Sequence, residues 1–310
     1  MDKVEILINK REKLVDQIEE DYLKKLDQTL EQIEKEIISL VQATPVRSGV
    51  IYDTTFAMTA RVKFKNIIEK HFNKWADETV RQYDKLAKLI DDNMKALPGY
   101  VAITREDIEK ITNLKRLKYA GLIQLSNETA NTLATNFYQA TVSNRTFADV
   151  VKDLQLKIQG VYMKADTGEI NDLVSYVKSL NVNDPKRDQA LNKLHTLYGA
   201  DAAGRSMRKY AKTLAHKSLK EFDGQTSLLR AKSAGLTHFL YYGDLIGDSR
   251  DFCRRHVGQK YSEEQLKEIW AGSWTGKSGS DPHLDVGGYN CRHHLQPISL
   301  DWYEDDELII

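Results

Sequence analysis

Apolar residues return at Val15, Ile18, Tyr22, Leu26, Leu30, Ile33, Ile37 and Leu40 in alternating steps of three and four. That spacing lays a single stripe along a helix, and Glu and Lys fill the other faces, so residues 3–42 are expected to form one long helix. Pro45 and Ser48-Gly49 end it. The stripe suits two arrangements equally: an arm packed on its own chain, or a coiled coil that makes an oligomer with a second chain. A second helical stretch runs from about Phe56 to Leu97 and stops at Pro98-Gly99. A third starts at Thr104, where Thr104-Arg105-Glu106-Asp107 fits the reciprocal capping pattern. It carries Ile108, Ile111, Leu114 (or Leu117) and Leu122 at helical spacing. Further helical segments are expected over 127–142 and 146–158. Turn-rich breaks follow at 161–170, around Asp166-Thr167-Gly168, and at Asn183-Asp184-Pro185.

The texture changes near residue 236. Short strand-like runs cover Leu236–Tyr242, Gln259–Tyr261 and His294–Ile298, glycines gather from Gly272 to Gly288, and aromatics cluster at Phe239, Tyr241, Tyr242, Phe252, Tyr261, Trp270 and Trp274. The fold class is therefore α+β: a long, mostly helical N-terminal arm and body over 1–195, followed by a small C-terminal α+β module over 196–310.

Composition narrows the function classes. The 310 residues hold 45 basic and 45 acidic side chains, so no global charge draws the chain to nucleic acid and any such pull must come from a local patch. No run approaches about 18 consecutive apolar residues, so no membrane partner is expected. Two cysteines are too few for a secreted disulfide scaffold, which points to synthesis in a reducing cytoplasm.

Chemistry concentrates late in the chain. Cys253 and His256 form a Cys-x-x-His pair, and Cys291 and His293 form Cys-x-His with His294 beside it. Thiolate and imidazole are zinc's preferred ligands, so Cys253, His256, Cys291 and His293 form a candidate set for a structural zinc ion, the one cofactor the sequence suggests. The same residues also read as buried small hydrophobes and ordinary hydrogen-bonding histidines. A helix before the module carries Arg205, Arg208, Lys209, Lys212 and His216 on one face, with Met207, Tyr210, Ala211 and Leu214 opposite. Such a face suits DNA phosphates, an acidic protein surface or plain solvent. Thr275-Gly276-Lys277-Ser278 looks like the end of a phosphate-binding loop, but the glycine required five positions before Gly276 is Ala271, so Gly272–Ser280 reads as a flexible loop. Asp248 is placed to cap a helix from Arg250 to His256.

Four pieces of the last third, in order, resemble the phage-Mu F-like minor head protein family, also called phage head morphogenesis proteins. They are the helix Tyr210–Ala215 leading to Leu229–Gly235; the strand Phe239–Gly243; the block Asp248–Tyr261; and Gly288-Tyr289-Asn290-Cys291-Arg292-His293 before Pro297. His293 stands where many members carry Cys. The resemblance implies a non-enzymatic minor capsid protein of the virion. It would act in head assembly, meet the portal protein and other head proteins at the portal vertex and head interior, and contact packaged DNA. The competing reading is a metal-dependent nuclease with His256, His293 and His294 around a divalent ion.

Overall fold

The computed structural model describes residues 3–51, 53–97, 100–160, 176–177, 179–180, 184–187, 189–190, 206–247, 249–288, 291–300, 303–304 and 307–308. The chain is α+β and mostly helical. The break at 161–170, the boundary drawn at 195/196, Arg205, Asp248 and Tyr289-Asn290 lie outside the described residues. Two compact units form, neither continuous in sequence. One gathers Met1–Ile18, Val80–Lys118 and His216–Ile310; the other gathers Glu19–Thr79 and Tyr119–Ala215.

Helix α1 spans Lys3–Gln42, as its stripe predicts. Val15, Ile18, Tyr22, Leu26, Leu30, Ile33 and Ile37 are all buried by the chain itself. Val41 replaces Leu40 at the end of the stripe, because a straight helix at 3.6 residues per turn drifts against a strict repeat. Among the described residues, these positions of the stripe are packed within the chain. Strands β1 (Val46–Arg47) and β2 (Val50–Ile51) follow as a two-residue hairpin. Ser48 and Gly49 both take positive φ, 53° and 78°, which is the mirror-image turn that matches strand twist.

Helix α2 (Thr54–Ile68) passes through one π-helical turn, Glu69–Asn73, into α3 (Lys74–Lys95), so the stretch expected from Phe56 to Leu97 is helical with one change of winding. Phe72 and Trp75 are buried there, and Trp75 Nε1 donates to the Tyr22 carbonyl at 2.9 Å. Helix α4 (Arg105–Val142) is one element of 38 residues where two were expected. Gly121 and Ser126-Asn127 weaken helix propensity, but a single glycine costs only about 1 kcal/mol and the chain holds no proline there. Helix α5 (Phe147–Gln159) is capped by Thr146, which accepts from Asp149 N, and ends on the left-handed Gly160.

From His216 onward α6 (Met207–Ser233) belongs to the first unit, together with a small sheet. Strands β3 (His238–Tyr242), β4 (Lys260–Ser262) and β5 (His294–Ile298) pair antiparallel in the order β4-β3-β5. Short helices α7 (Asp251–His256), α8 (Glu263–Ala271) and α9 (Pro282–Asp285) fill the connections. Ser262 and Gln265 form a complete capping box at the start of α8, a pattern visible in the sequence as Ser-x-x-Gln. Two further strands, β6 (Tyr303–Glu304) and β7 (Glu307–Leu308), make a hairpin.

Period-two alternation gives the sheet two distinct faces. Phe239 and Tyr241 pair with Pro297 and Leu295, and this face meets Ala231, Phe252, Cys253, Leu266, Trp270, Val286 and Cys291. Leu240 and Tyr242 pair with Gln296 and His294, and the face bearing Tyr242 and Ile298 meets Leu7, Ile8, Met94 and Leu97.

The second face also holds a buried ionic network. Arg11 Nε donates to Asp223 Oδ1 at 2.8 Å, Arg11 Nη2 lies 2.8 Å from Oδ2, and Arg11 Nη1 donates to Gln296 Oε1 at 3.1 Å. His294 Nδ1 meets Asp223 Oδ2 at 2.8 Å. Burial alone would raise the Asp223 carboxyl, but the Arg11 charge and the bonds from His294 and Arg11 more than reverse it, holding it well below the usual carboxylate range. A second buried cation, Arg230, bonds Asp91 Oδ1 at 2.8 Å and the Val101 carbonyl at 2.7 Å, and lies 3.4 Å from Asp107 Oδ2. Asp107 also bonds the Thr104 amide and accepts from Ser233, so the expected cap at Thr104 doubles as an anchor for α6.

Three substitutions check these assignments. Gly121 has open space where a Cβ would sit, so Gly121→Ala should stabilise by about 0.5–1 kcal/mol in urea unfolding. Arg11→Met leaves the buried Asp223 charge with His294 but without its cation, and should cost about 3–5 kcal/mol. Because the folded pKa of Asp223 lies below its unfolded value near 3.9, its contribution is fully present above about pH 4 and is lost as pH falls through the folded value. Asp223→Asn should therefore destabilise at neutral pH and flatten the acid limb of the stability curve; an unchanged acid limb would contradict the assignment.

Candidate metal centre

Three of the four expected ligands converge. Cys253 lies on α7, Cys291 on the segment entering β5, and His293 two residues further on. All three are buried, and their donor atoms lie within 4.8 Å of one another. Cys253 Sγ and Cys291 Sγ stand 3.9 Å apart, and Cys291 Sγ is 3.4 Å from His293 Nδ1. Both cysteines are free thiols, since a disulfide would bring the sulfurs to about 2.05 Å.

The Tyr241 hydroxyl, which the sequence reading did not single out, reaches the same point. It lies 3.4 Å from Cys253 Sγ and 3.7 Å from Cys291 Sγ, and its ring stacks on His293 at 5.4 Å between centroids. Its signal was its register: Tyr241 alternates with Phe239 on one face of β3, but an aromatic at such a position reads as core before it reads as a polar donor. The hydrogen bond with Cys291, followed by burial, pushes Cys253 up, while the same bond together with the one from His293 draws Cys291 down against its own burial. Burial, the nearby sulfurs and its hydrogen bonds to them keep the Tyr241 hydroxyl protonated far above its ordinary range.

The backbone closes tightly on this group. A Cβ added at Gly287 would fall 2.6 Å from each sulfur and 2.8 Å from the Tyr241 hydroxyl. The residue before it, Val286, sits at φ 45°, a region a β-branched residue rarely enters, at a cost of about 1–3 kcal/mol. Trp274 Nε1 donates to the Gly287 carbonyl at 3.1 Å and stacks on Phe252 at 3.9 Å, fixing the glycine-rich segment from outside. The loop expected over Gly272–Ser280 is irregular and mostly exposed, and Trp274 anchors it as a strap beside the cluster. Lys277 donates to the carbonyls of Trp270 (2.5 Å) and Gly272 (2.6 Å), so the lysine of the Gly-Lys-Ser run caps the C-terminus of α8, where a cation offsets the helix dipole.

His256, the fourth expected ligand, stands apart from the cluster. Its Nδ1 meets the Tyr261 hydroxyl at 2.6 Å and its ring centroid lies 4.3 Å from that of Phe252, so its side chain is engaged by these two rings and not by the sulfurs. His294 is separated from His293 by the pleat. Consecutive residues entering β5 point to opposite faces, which sends His293 to the cysteines and His294 to Asp223.

The basic face is only partly basic surface. Arg208 Nη2 pairs with Asp27 at 2.8 Å, Lys209 is exposed, and Lys212 and His216 are half-buried. Opposite them Met207, Ala211 and Ala215 are buried, whereas Tyr210, placed on the apolar side by the sequence reading, is 48% exposed. Among the described residues, no helix is long and apolar enough to cross a membrane.

Comparison with known proteins returned no matching family model, no matching curated protein and no matching solved structure.

Gly287→Ala should lower stability by on the order of 1–3 kcal/mol, since the added methyl must displace two sulfurs or the strap. Gly247→Ala, with open space around its Cβ position, is the control and should fall within about 0.5 kcal/mol of the parent in the same denaturant titration.

Proposed function

We propose that this chain is a phage minor head protein: a virion component acting in head assembly, associated with the portal and the head interior, and contacting packaged DNA through exposed cations such as Lys209. The reading rests on the ordered motifs of the last third. One structural observation supports it. The blocks carrying the resemblance, Asp248–Tyr261 and Gly288–His293, lie far apart in sequence, yet the first ends in β4 and the second leads into β5, on opposite edges of β3, with their cysteines 3.9 Å apart. Residues that a motif links only by order are thus parts of one buried assembly, which is what a structural module requires.

The nuclease alternative places His256, His293 and His294 around one ion. Each of these side chains has a different partner, respectively Tyr261, Cys291 and Asp223, and the latter two histidines are buried. A catalytic metal needs a shared, open coordination position, which this arrangement does not favour.

The chain expressed with the portal protein encoded beside it should co-purify with that portal and be found by mass spectrometry in purified heads. Chelator-sensitive DNA cleavage, or absence from both heads and portal complexes, would overturn the proposal.

A further inference from the structure

Four donor atoms of metal-binding chemistry meet inside an otherwise aromatic and aliphatic core. Phe252, Trp270, Val286 and Leu295 surround Cys253, Cys291, His293 and Tyr241, and all eight are buried. Such a core has no reason to gather two thiols, an imidazole and a phenol, since each loses hydration on burial and thiols make weak hydrogen bonds.

The separations identify what they suit. Two sulfurs on a tetrahedral ion at about 2.3 Å stand about 3.8 Å apart, and a nitrogen or oxygen ligand at about 2.0–2.1 Å lies about 3.5 Å from each sulfur. The observed distances are 3.9 Å between the sulfurs, 3.4 Å from Cys291 Sγ to His293 Nδ1, and 3.4 and 3.7 Å from the Tyr241 hydroxyl to the two sulfurs. Gly287 adds a second, independent constraint. With no side chain, it lets the backbone come down on the two sulfurs and the hydroxyl together, roofing one side of the triangle they form.

We propose that Tyr241 is the fourth ligand of a closed metal site completed by Cys253, Cys291 and His293, and that the site takes a zinc-class divalent cation. Two soft sulfurs and an imidazole select against magnesium and calcium, which prefer all-oxygen shells. Four protein donors leave no position for substrate, so the ion is structural. It ties α7, β3 and the entry to β5 together at one point. On binding, the thiols and the phenol give up their protons to solvent and the ion takes their place, with no change in oxidation state. The inference concerns this module alone and holds whether or not the chain acts in a virus head.

The test uses the full chain, purified reduced and without added metal. Elemental analysis should find close to one zinc per chain, and zinc X-ray absorption should show two sulfurs at about 2.3 Å with two nitrogen or oxygen neighbours at about 2.0–2.1 Å. Stripping the zinc with a chelator should remove a tyrosinate band from the ultraviolet difference spectrum. Tyr241→Phe keeps the ring but not the oxygen, and should weaken zinc binding at least tenfold, roughly the loss seen even for residues that only support a ligand. Because that variant can fail to fold, the tyrosinate band of the parent chain carries the same information. Absence of zinc, or two cysteines found as a disulfide in denaturant, would overturn the site. Zinc bound without a tyrosinate band, or with unchanged affinity in a folded Tyr241→Phe, would overturn Tyr241 as its ligand.

Discussion

A guanidinium and a carboxylate buried against each other hold the first unit in register. Arg11 lies near the start of the chain and Asp223 more than two hundred residues later, and both side chains are 2% exposed. Neither tolerates burial alone, because an unpaired charge in a core costs several kcal/mol. Each therefore requires the other, and the pair requires Gln296 and His294 to satisfy its remaining hydrogen-bonding capacity. Those last two residues sit on one face of β5. Fixing that face fixes the opposite one, since a slip of one residue would exchange every side chain between faces. The position of His293 and Leu295 toward Tyr241 is thus set by a network on the far side of the sheet.

The cysteine cluster inherits this precision. Its donors come from α7, β3 and the lead into β5, three segments that share no sequence neighbourhood. They meet because β3 pairs with both of its neighbours and because Gly287 lets the strap close over them. Arg230, bound to Asp91, Asp107 and the Val101 carbonyl, performs a similar service for α6, joining it to the start of α4. Two buried cations, each bound by more than one partner, thus position the helices that flank the sheet. Such networks give little net stability relative to a well-packed apolar core, but they penalise every alternative arrangement that leaves a charge unpaired.

The adjacent histidines carry the functional consequence. Read along the chain, His293 and His294 look like a doubled ligand or a pair of catalytic bases. The pleat makes them unrelated: one meets the Cys291 sulfur, the other an ion pair.

Local physics was legible in the sequence. The stripe of α1, the reciprocal cap at Thr104, the Thr146 start of α5 and strand β5 all follow from periodicity and capping chemistry, which act within a few residues. The convergence of Cys253, Cys291 and His293 was legible as a candidate set, since thiols and imidazoles clustered late in the chain. What the sequence could not decide was which member would be left out and which unlisted residue would join. His256 turns to Tyr261, Tyr241 turns to the sulfurs, and Arg11 finds Asp223, because each outcome depends on strand register and helix rotation that no local pattern sets. Periodicity says which face a side chain takes; only the packed structure says what that face meets.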